Sequence, residues 1–313
     1  MKLLLPDSLP LAPDLPEGVT AVTYAFSAPV PEEHLDADAL VVWGNAVEDL
    51  AAVAGRMPRL RWVQSLAAGP DAVLRAGFPD GVVVTSGAGL HSATVTEHAL
   101  ALVLALVRRL PAAGRAQAEH RWARELGGLQ PLYPEGAVTT LLGARVLIWG
   151  FGAIGQTLAP VLRSLGASVR GVARSAGERA GFEVLAEDDL EGELGRTDVL
   201  VMVLPATGAT RHALDAARLA ALPAYAYVVN VGRGATVDEA ALVAALGAGR
   251  LAGAALDVTE TEPLPPDSPL WDAPLLVLTP HAAGGRPVGA DELVAANLAA
   301  LLAGCELRNV VER

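Results

Sequence analysis

The chain has 313 residues, of which 52% are hydrophobic and only 4% aromatic, and its formal net charge is −12 at pH 7. This length fits two α/β units better than one small domain, and cores built from Ala, Val and Leu favour helices packed on parallel sheets. Because the basic residues are scattered singly, nucleic acid and anionic lipid are disfavoured as partners, and any anion site must be built locally from Arg side chains and backbone N–H groups.

The chain shows no sequence signal for secretion, for a membrane span or for a metal. Cys305 is the single cysteine, which excludes an internal disulfide and a cysteine-based metal site. Pro6 stops the N-terminal apolar stretch far short of the core of a signal peptide. The longest strongly apolar run, Ala99 to Val107, is well below the ~20 residues of a membrane span. We therefore expect a soluble, cytoplasmic protein that holds no metal.

The N-terminal part alternates short apolar runs with Pro/Gly breaks and Ala-rich segments, which predicts a small βα sheet domain. The predicted strands are Leu3 to Leu5, Val19 to Tyr24, Ala39 to Trp43, Leu60 to Gln64 and Gly81 to Thr85. Thr94 and Glu97 then have the spacing of a capping box, so a long helix is expected to start there and to end near Leu110.

From Gly143 the alternation of strand and helix restarts. An apolar strand at Arg145 to Trp149 leads through a Gly-rich turn into a helix that ends near Leu165. Further strands are predicted at Ser168 to Ala173, Val199 to Leu204, Tyr227 to Val231, Gly253 to Asp257 and Leu276 to Thr279. Ala/Leu-rich helices separate them, which indicates a doubly wound sheet. The segment Asp291 to Ala303 reads as an amphipathic helix without a strand of its own, and we expect it to return to the first domain.

The turn after the strand Arg145 to Trp149 has the pattern GxGxxG. Its glycines are Gly150, Gly152 and Gly155, with Ala153 and Ile154 between them. A strand enters this turn and a helix leaves it, so its backbone can approach a pyrophosphate at the helix N-terminus. The alternative is a glycine turn without a ligand.

The second strand of this half ends at Ala173, where an NAD-specific site would carry Asp or Glu for the ribose hydroxyls. Arg174 and Ser175 follow, and these side chains suit a 2′-phosphate. We therefore expect NADP(H) to be preferred, with NAD(H) also possible. The alternative is that Arg174 is a solvated charge and that either cofactor is used.

Four polar side chains follow predicted strand ends: Arg233, Asp257, Glu262 and His281. In a doubly wound sheet these ends form the ligand crevice. Reduction of a 2-keto acid needs a cation for the carboxylate, which suits Arg233, and a proton donor, which suits His281. Glu262 beside the imidazole would raise its pKa and orient it. Asp257 is expected to bond the nicotinamide amide. Taken singly, each of the four could instead be a surface ion pair, a loop residue or a cap.

Several segments together resemble the D-isomer-specific 2-hydroxyacid dehydrogenase family, of the glyoxylate/hydroxypyruvate reductase type. They are Asn230-Val-Gly-Arg-Gly234, Asp257-Val, Glu262-Pro-Leu-Pro265, Asp267-Ser-Pro-Leu-Trp271 and Thr279-Pro-His281. The resemblance covers nearly the whole chain and implies that Arg233, Glu262 and His281 bind substrate and relay the proton. It also implies two Rossmann-like domains, an active site in the cleft that separates them, and a homodimer. A flavodoxin-like substrate domain would comprise residues 1–92 and 285–313, and a dinucleotide-binding domain residues 93–284.

The resemblance assigns further residues one by one. The backbone N–H groups of Ala68 and Gly69 would receive the substrate carboxylate, and Glu97 would cap a helix. The remaining cofactor contacts would be Leu204, Pro205, Thr210 and Val231.

Departures from relatives narrow the substrate. Relatives acting on formate carry Gln in place of Glu262, and relatives acting on phosphite carry Lys in place of Ala68, so neither substrate is favoured. We expect an NAD(P)H-dependent reductase of glyoxylate, hydroxypyruvate or a similar small acid. The alternatives are a dehydrogenase for a bulkier 2-hydroxy acid and a non-catalytic dinucleotide sensor. A sensor would not need Arg233, Glu262 and His281 together.

Overall fold

The computed structural model describes residues 1–127, 129–132 and 134–312. The chain divides into two compact units: unit 1 is Met1–His91 with Gly285–Arg313, and unit 2 is Ser92–Gly284. Among the described residues, no helix combines the length and the apolar character that crossing a bilayer requires.

The described residues form 13 strands and nine α-helices. The strands are β1 Lys2–Pro6, β2 Thr20–Tyr24, β3 Ala39–Val42, β4 Trp62–Ser65, β5 Val83–Thr85, β6 Arg145–Trp149, β7 Ser168–Ala173, β8 Gly177–Arg179, β9 Phe182–Ala186, β10 Val199–Met202, β11 Tyr227–Asn230, β12 Gly253–Leu256 and β13 Leu276–Leu278. The α-helices are α1 Val47–Ala54, α2 Asp71–Ala76, α3 Ser92–Val107, α4 Leu110–Ala118, α5 Ala153–Ser164, α6 Leu190–Leu194, α7 Ala216–Ala221, α8 Glu239–Gly247 and α9 Ala290–Ala303.

Unit 1 is built on a parallel five-stranded sheet in the order β2-β1-β3-β4-β5, which is the flavodoxin-like order. Leu4 and Leu40 face one core, whereas Leu3 and Val41 face a second core that includes α9. Alternate residues of a strand point to opposite faces, so a strand that is covered on both sides reads as a continuous apolar run. The closing helix of the chain thus belongs to unit 1.

Unit 2 is built on an eight-stranded sheet in the order β13-β12-β11-β10-β6-β7-β9-β8. All neighbouring strands are parallel except β8 and β9, which are antiparallel. In β6, Val146 and Ile148 face one core while Leu147 and Trp149 face the other. The two sheets confirm the predicted α/β class with two doubly wound sheets.

Two predicted features of unit 2 need correction. The helix expected to start at Thr94 starts at Ser92, so the prediction of a capping box is wrong. The Thr-x-x-Glu spacing also occurs inside a helix, where residues three apart share a face. The helix ends at Val107 rather than near Leu110, and α4 follows. Pro111 has no N–H to donate to the carbonyl group of Val107, which favours this break.

Candidate active site

The strand order of unit 2 brings several loops to one edge of its sheet. The strands β13, β12, β11, β10 and β6 are parallel neighbours, so the loops after their carboxyl ends lie side by side. Chain order runs one way from β6 through β7 and β9, and the other way from β10 through β13. Ligands of doubly wound sheets bind where the order reverses in this way. Here that point lies at β6 and β10.

The loop after β6 is shaped by close backbone packing. Gly150 has a φ of 102°, and a Cβ atom there would lie 2.5 Å from the carbonyl oxygen of Val203. A Cβ atom on Gly152 would instead meet nothing within 4 Å, so the space in front of this residue is open.

The same loop leads into the first turn of α5. The N–H of Gln156 bonds to the carbonyl oxygen of Gly152, at 2.9 Å, as the first intrahelical bond. The N–H groups of Ala153, Ile154 and Gly155 therefore precede the helical bonding pattern. No acidic residue occupies this first turn. Open space, N–H groups that precede the helical bonds and the positive end of the helix dipole fit the pyrophosphate of a dinucleotide.

The other predicted cofactor residues of this edge fall into two loops. Leu204 is buried two residues after β10, and the next residue, Pro205, is exposed. The Thr210 hydroxyl donates to the Pro205 carbonyl oxygen at 2.6 Å and so folds this loop back on itself. Val231 is buried after β11, and its N–H bonds to the carbonyl oxygen of Met202 at 3.1 Å.

The end of β7 carries two adjacent exposed side chains, Arg174 and Ser175. Arg179 donates through Nη2 to the Ser175 hydroxyl at 2.8 Å and to the Ser175 carbonyl oxygen at 2.9 Å. Arg179 ends β8, which pairs with β9 and was not predicted from the sequence. Arg179 follows Arg174 closely in the sequence, and this second Arg was the signal that could have identified it as a site residue. The Arg179 guanidinium and the Ser175 hydroxyl thus lie together, next in sequence to Arg174, and such groups can bind a phosphate.

Arg233 lies in a loop that is held from both sides. The buried side chain of Asn230 donates to the Arg233 carbonyl oxygen at 3.1 Å, and the Thr236 hydroxyl donates to the same oxygen at 2.7 Å. The following residue, Gly234, packs against the next loop, because a Cβ atom there would lie 1.9 Å from the carbonyl carbon of Thr259. This close approach brings the Arg233 loop against the loop that carries Glu262.

His281 and Glu262 form a direct pair. The Nδ1 atom of His281 lies 2.7 Å from Oε2 of Glu262, while Oε1 of Glu262 accepts the N–H of Thr259 at 3.1 Å. The two side chains are 47% and 38% exposed, so both remain accessible from solvent. Because Nδ1 is engaged, Nε2 is the imidazole atom that can face a substrate.

The two members of this pair shift each other's pKa in the directions that favour charge. The hydrogen bond to Glu262 raises the pKa of His281 above its ordinary value, against opposing effects of burial and of the charge on Arg233. Partial burial disfavours the Glu262 carboxylate, but bonds from His281 and the Thr259 N–H outweigh it, so its pKa is lowered. Both shifts favour the charged forms, an imidazolium beside a carboxylate.

Asp257 sits behind this pair and is almost fully buried, with its side chain 1% exposed. Its Oδ1 accepts from the Thr279 hydroxyl at 2.6 Å and from the Ala282 N–H at 2.8 Å, and its Oδ2 accepts from the Ala283 N–H at 3.1 Å. Nε2 of His98 lies 3.1 Å from the same Oδ1. His98 and Thr279 were not among the residues singled out from the sequence.

An open cavity of about 640 Å³ adjoins the pair within unit 2. Glu262 and His281 line it, together with apolar side chains that include Leu264, Trp271 and Leu278. Ala68 and Gly69 belong to unit 1, where they follow β4 and precede α2, and both are partly exposed. Across residues 1–127, 129–132 and 134–312, no cluster of three or more His, Cys, Asp or Glu residues could hold a metal ion.

Known proteins resemble this chain in both sequence and structure. The family described as "D-isomer specific 2-hydroxyacid dehydrogenase, NAD binding domain" matches residues 100–283. Glyoxylate/hydroxypyruvate reductase A of Salmonella paratyphi B is 36% identical over 289 residues, which cover 88% of this chain and 86% of that protein. D-3-phosphoglycerate dehydrogenase of Mycobacterium bovis is 37% identical over 261 residues, but the match spans only 46% of its length.

Two solved structures extend the likeness over almost the entire chain. A D-isomer specific 2-hydroxyacid dehydrogenase from Xanthobacter autotrophicus Py2, in complex with NADPH and MES, is 32% identical, has a TM-score of 0.80, and covers 99% of this chain and 97% of its own. An NADPH-dependent glyoxylate/hydroxypyruvate reductase from Sinorhizobium meliloti, in complex with NADP and sulfate, is 29% identical, with a TM-score of 0.82 and coverage of 99% and 98%. The chain therefore belongs to the D-isomer specific 2-hydroxyacid dehydrogenases, a family of NAD(P)-dependent oxidoreductases.

Proposed function

We propose that this enzyme reduces a small 2-keto acid, of the glyoxylate or hydroxypyruvate type, to the D-2-hydroxy acid and prefers NADPH. The observation that carries the proposal is the 2.7 Å pair of His281 and Glu262, with the charge of Arg233 acting on both. An imidazolium next to a cation is the combination that protonates a keto oxygen while the substrate carboxylate is held. The names of the two reductases that resemble the chain support the same substrate class.

In this mechanism Arg233 binds the carboxylate and polarises the keto group, and the N–H groups of Ala68 and Gly69 bind the carboxylate as well. A reduced nicotinamide, when bound, supplies the hydride to the carbonyl carbon. His281 gives its Nε2 proton to the keto oxygen, so the carbonyl becomes a hydroxyl and the imidazole becomes neutral. Glu262 holds the imidazolium in place before transfer, which keeps the donor protonated near neutral pH.

The cofactor would lie along the edge of the sheet in unit 2. The proposed pyrophosphate site is formed by Gly150, Gly152, Ala153, Ile154 and Gly155, and further contacts come from Leu204, Pro205, Thr210 and Val231. Arg174, Ser175 and Arg179 would bind the 2′-phosphate of NADP(H), while NAD(H) would bind without that contact. A bond from Asp257 to the nicotinamide amide stays a prediction. The Asp257 carboxylate is buried and already accepts hydrogen bonds from several donors.

The test is cofactor oxidation followed by absorbance, with glyoxylate, hydroxypyruvate, pyruvate and phenylpyruvate, each with NADPH and with NADH. We expect turnover of glyoxylate and hydroxypyruvate, with higher kcat/KM for NADPH. If no acid of this series is reduced with either cofactor, the proposal fails. Equal efficiencies with the two cofactors would remove only the NADP(H) preference.

A bulkier 2-keto acid is the second candidate, and one observation favours it. The cavity of about 640 Å³ beside His281 has apolar walls at Leu264, Trp271 and Leu278, and its volume is within the range of small-molecule sites. A higher kcat/KM for phenylpyruvate than for glyoxylate would select this candidate. Substitution Leu264→Asp should then lower kcat/KM for phenylpyruvate more than for glyoxylate.

The remaining parts of the proposal concern the whole protein. Unit 1 is proposed as the substrate domain, and the protein is proposed to be a cytoplasmic homodimer, on the resemblance to the family. Sedimentation equilibrium decides the assembly, since a monomer has a mass of 32.1 kDa and a dimer twice that value.

A further inference from the structure

The turn that carries His281 is organised around one buried carboxylate. The N–H of His281 bonds to the backbone carbonyl oxygen of Asp257 at 2.8 Å, and its φ of 51° places it in the left-handed region. The next two N–H groups, of Ala282 and Ala283, bond to the Asp257 carboxylate. The Thr279 hydroxyl donates to the same carboxylate from the other end of the turn. Four residues of the turn around Pro280 thus form hydrogen bonds to the side chain or backbone of Asp257: Thr279, His281, Ala282 and Ala283.

His98 reaches this carboxylate from the middle of α3. Its Nε2 atom lies 2.9 Å from Oγ1 of Thr279 and 3.1 Å from Oδ1 of Asp257. Because a carboxylate oxygen can only accept, Nε2 must carry a hydrogen to bond there. The His98 side chain is 22% exposed, so this contact is largely shielded from water. The 16-residue helix Ser92–Val107 packs in one of the two cores of unit 2, which fixes the position of His98.

We propose that His98 is a positioning residue for proton transfer: together with Thr279 and Asp257 it holds the 279–283 turn so that His281 stays aligned with Glu262. The inference rests on the proposed function, in which His281 is the proton donor. A misplacement of a reacting group by about 1 Å can cost roughly a hundredfold in rate. A turn whose central residue lies in the left-handed region depends on such supports, since isolated non-glycine residues rarely adopt that conformation.

The consequence is visible at His281 itself. The charged groups that act on its imidazole are Glu262, Arg233 and Asp257. The hydrogen bond to Glu262 is the largest of the effects on its pKa, and it raises the value. Loss of the support from His98 would loosen this bond, and the pKa of His281 would fall towards its ordinary value.

Two substitution pairs separate positioning from packing. His98→Leu removes the donor, whereas His98→Gln replaces it with an amide N–H of similar reach. Thr279→Val removes the hydroxyl without changing the shape of the side chain, whereas Thr279→Ser keeps the hydroxyl. The first member of each pair should misalign His281, and the second should restore the alignment.

The primary measurement is an NMR titration of the imidazole C–H signals of the full chain, which has six histidines. The signal of His281 is the one absent from a His281→Gln variant. We expect His98→Leu and Thr279→Val to lower the pKa of His281 by roughly 0.5 or more, and the conservative partners to recover most of that loss. We also expect kcat with glyoxylate and NADPH to fall roughly tenfold in His98→Leu, while KM for NADPH stays within about twofold.

An unchanged pKa of His281 in His98→Leu, with only a lower Tm, would overturn the proposal and leave His98 a packing residue. A large rise in KM for NADPH with the same unchanged pKa would overturn it in favour of a cofactor role. If His98→Leu does not fold, the Thr279 pair decides by the same criteria. If the unsubstituted enzyme reduces no keto acid, the proposed function fails, yet the titration still shows whether His98 sets the state of His281.

Discussion

The side chain of His281, which would donate the proton, is about half-exposed. A water-facing imidazole ordinarily titrates near neutral pH, but the bond to Glu262 raises its pKa. A raised pKa keeps the donor protonated over a wider range of pH. Reduction should therefore remain efficient through neutral pH and decline only as the pH rises past the pKa of the bonded imidazole.

Glu262→Gln tests this directly. The amide cannot provide the charge that raises the pKa of His281, so the value falls. The falling limb of kcat/KM against pH, in the direction of keto acid reduction, should move to lower pH. The sign follows because the protonated form is the active one and is lost earlier as pH increases. A limb that stays in place, measured with glyoxylate and NADPH from pH 5 to pH 10, would mean that Glu262 does not control the donor.

His281→Ala separates an enzyme from a dinucleotide sensor. Loss of a positioned general acid should lower kcat by roughly 10²–10⁴-fold. The Kd for NADPH, measured by calorimetry, should change little, because no proposed cofactor contact is lost. His120→Ala is the matched control, since this histidine is exposed and lies outside the proposed site. Unaltered turnover in His281→Ala would remove the imidazole from the mechanism.

Among single residues, the sequence predicts those whose chemistry is evident from the residue type and from a position at the end of a strand. Arg233, Glu262 and His281 each follow a predicted strand, and topology alone brings strand ends together. His98 could not be found in this way, because 181 positions separate it from Thr279. Its place behind the turn depends on how α3 packs, and no local pattern encodes that packing.

The loop between β6 and α5 contains glycines that serve different purposes. Gly150 is required by a φ of 102° and by the nearby carbonyl group of Val203. Gly152 has an ordinary φ of −84° and faces open space. The first position is therefore constrained by the fold itself, and the second by whatever ligand occupies the space.

Gly150→Ala and Gly152→Ala should separate these effects. We expect the first to lower the free energy of unfolding by roughly 1–3 kcal/mol, because a Cβ atom is strained there. The second should leave the free energy of unfolding nearly unchanged and raise the Kd for NADPH roughly tenfold, equivalent to about 1.4 kcal/mol. Urea denaturation and calorimetry measure the two quantities. Normal NADPH affinity in a stable Gly152→Ala variant would contradict the pyrophosphate site.

The segment after β7 governs the proposed choice between cofactors. Arg174→Ala should lower kcat/KM for NADPH roughly tenfold or more, because bonds to a charged group each contribute about 1.5–3 kcal/mol. The value for NADH should stay unchanged. Arg250→Ala serves as the control. It also removes one positive charge, but Arg250 precedes the amino end of β12, whereas Arg174 follows the carboxyl end of β7. An unchanged ratio of the two efficiencies in Arg174→Ala would remove the 2′-phosphate assignment.

Element prediction succeeded where apolar runs are continuous and failed where they are not. The strands β6, β10 and β11 are buried on both faces and were predicted within one or two residues. The strand β8 has three residues and contains exposed Glu178, and exposed Glu183 interrupts the apolar residues of β9, so neither is a continuous apolar run. The start of α3 was misplaced because a spacing typical of a helix N-terminus recurs inside the helix.

For the molecule as a whole, the net charge of −12 opposes the approach of anionic ligands. Interactions between exposed charges extend over about 30 Å at 0.01 M salt but only about 10 Å at 0.1 M. We expect KM for glyoxylate to fall by on the order of twofold over this range, because the repulsion is screened. The value of kcat should stay constant, since it describes the saturated enzyme. A rising KM would show that the attraction of Arg233 dominates at every distance.

The close packing of Gly234 on Thr259 has a consequence for recombination between related chains. The two loops are separated in sequence by α8 and β12, yet each fills space that the other leaves. A chimera that takes residues 230–236 from one parent and residues 257–262 from another splits this contact. Libraries with crossovers before 230 and after 262 should yield more folded, active members than libraries with a crossover at α8. The two loops are inherited as one block.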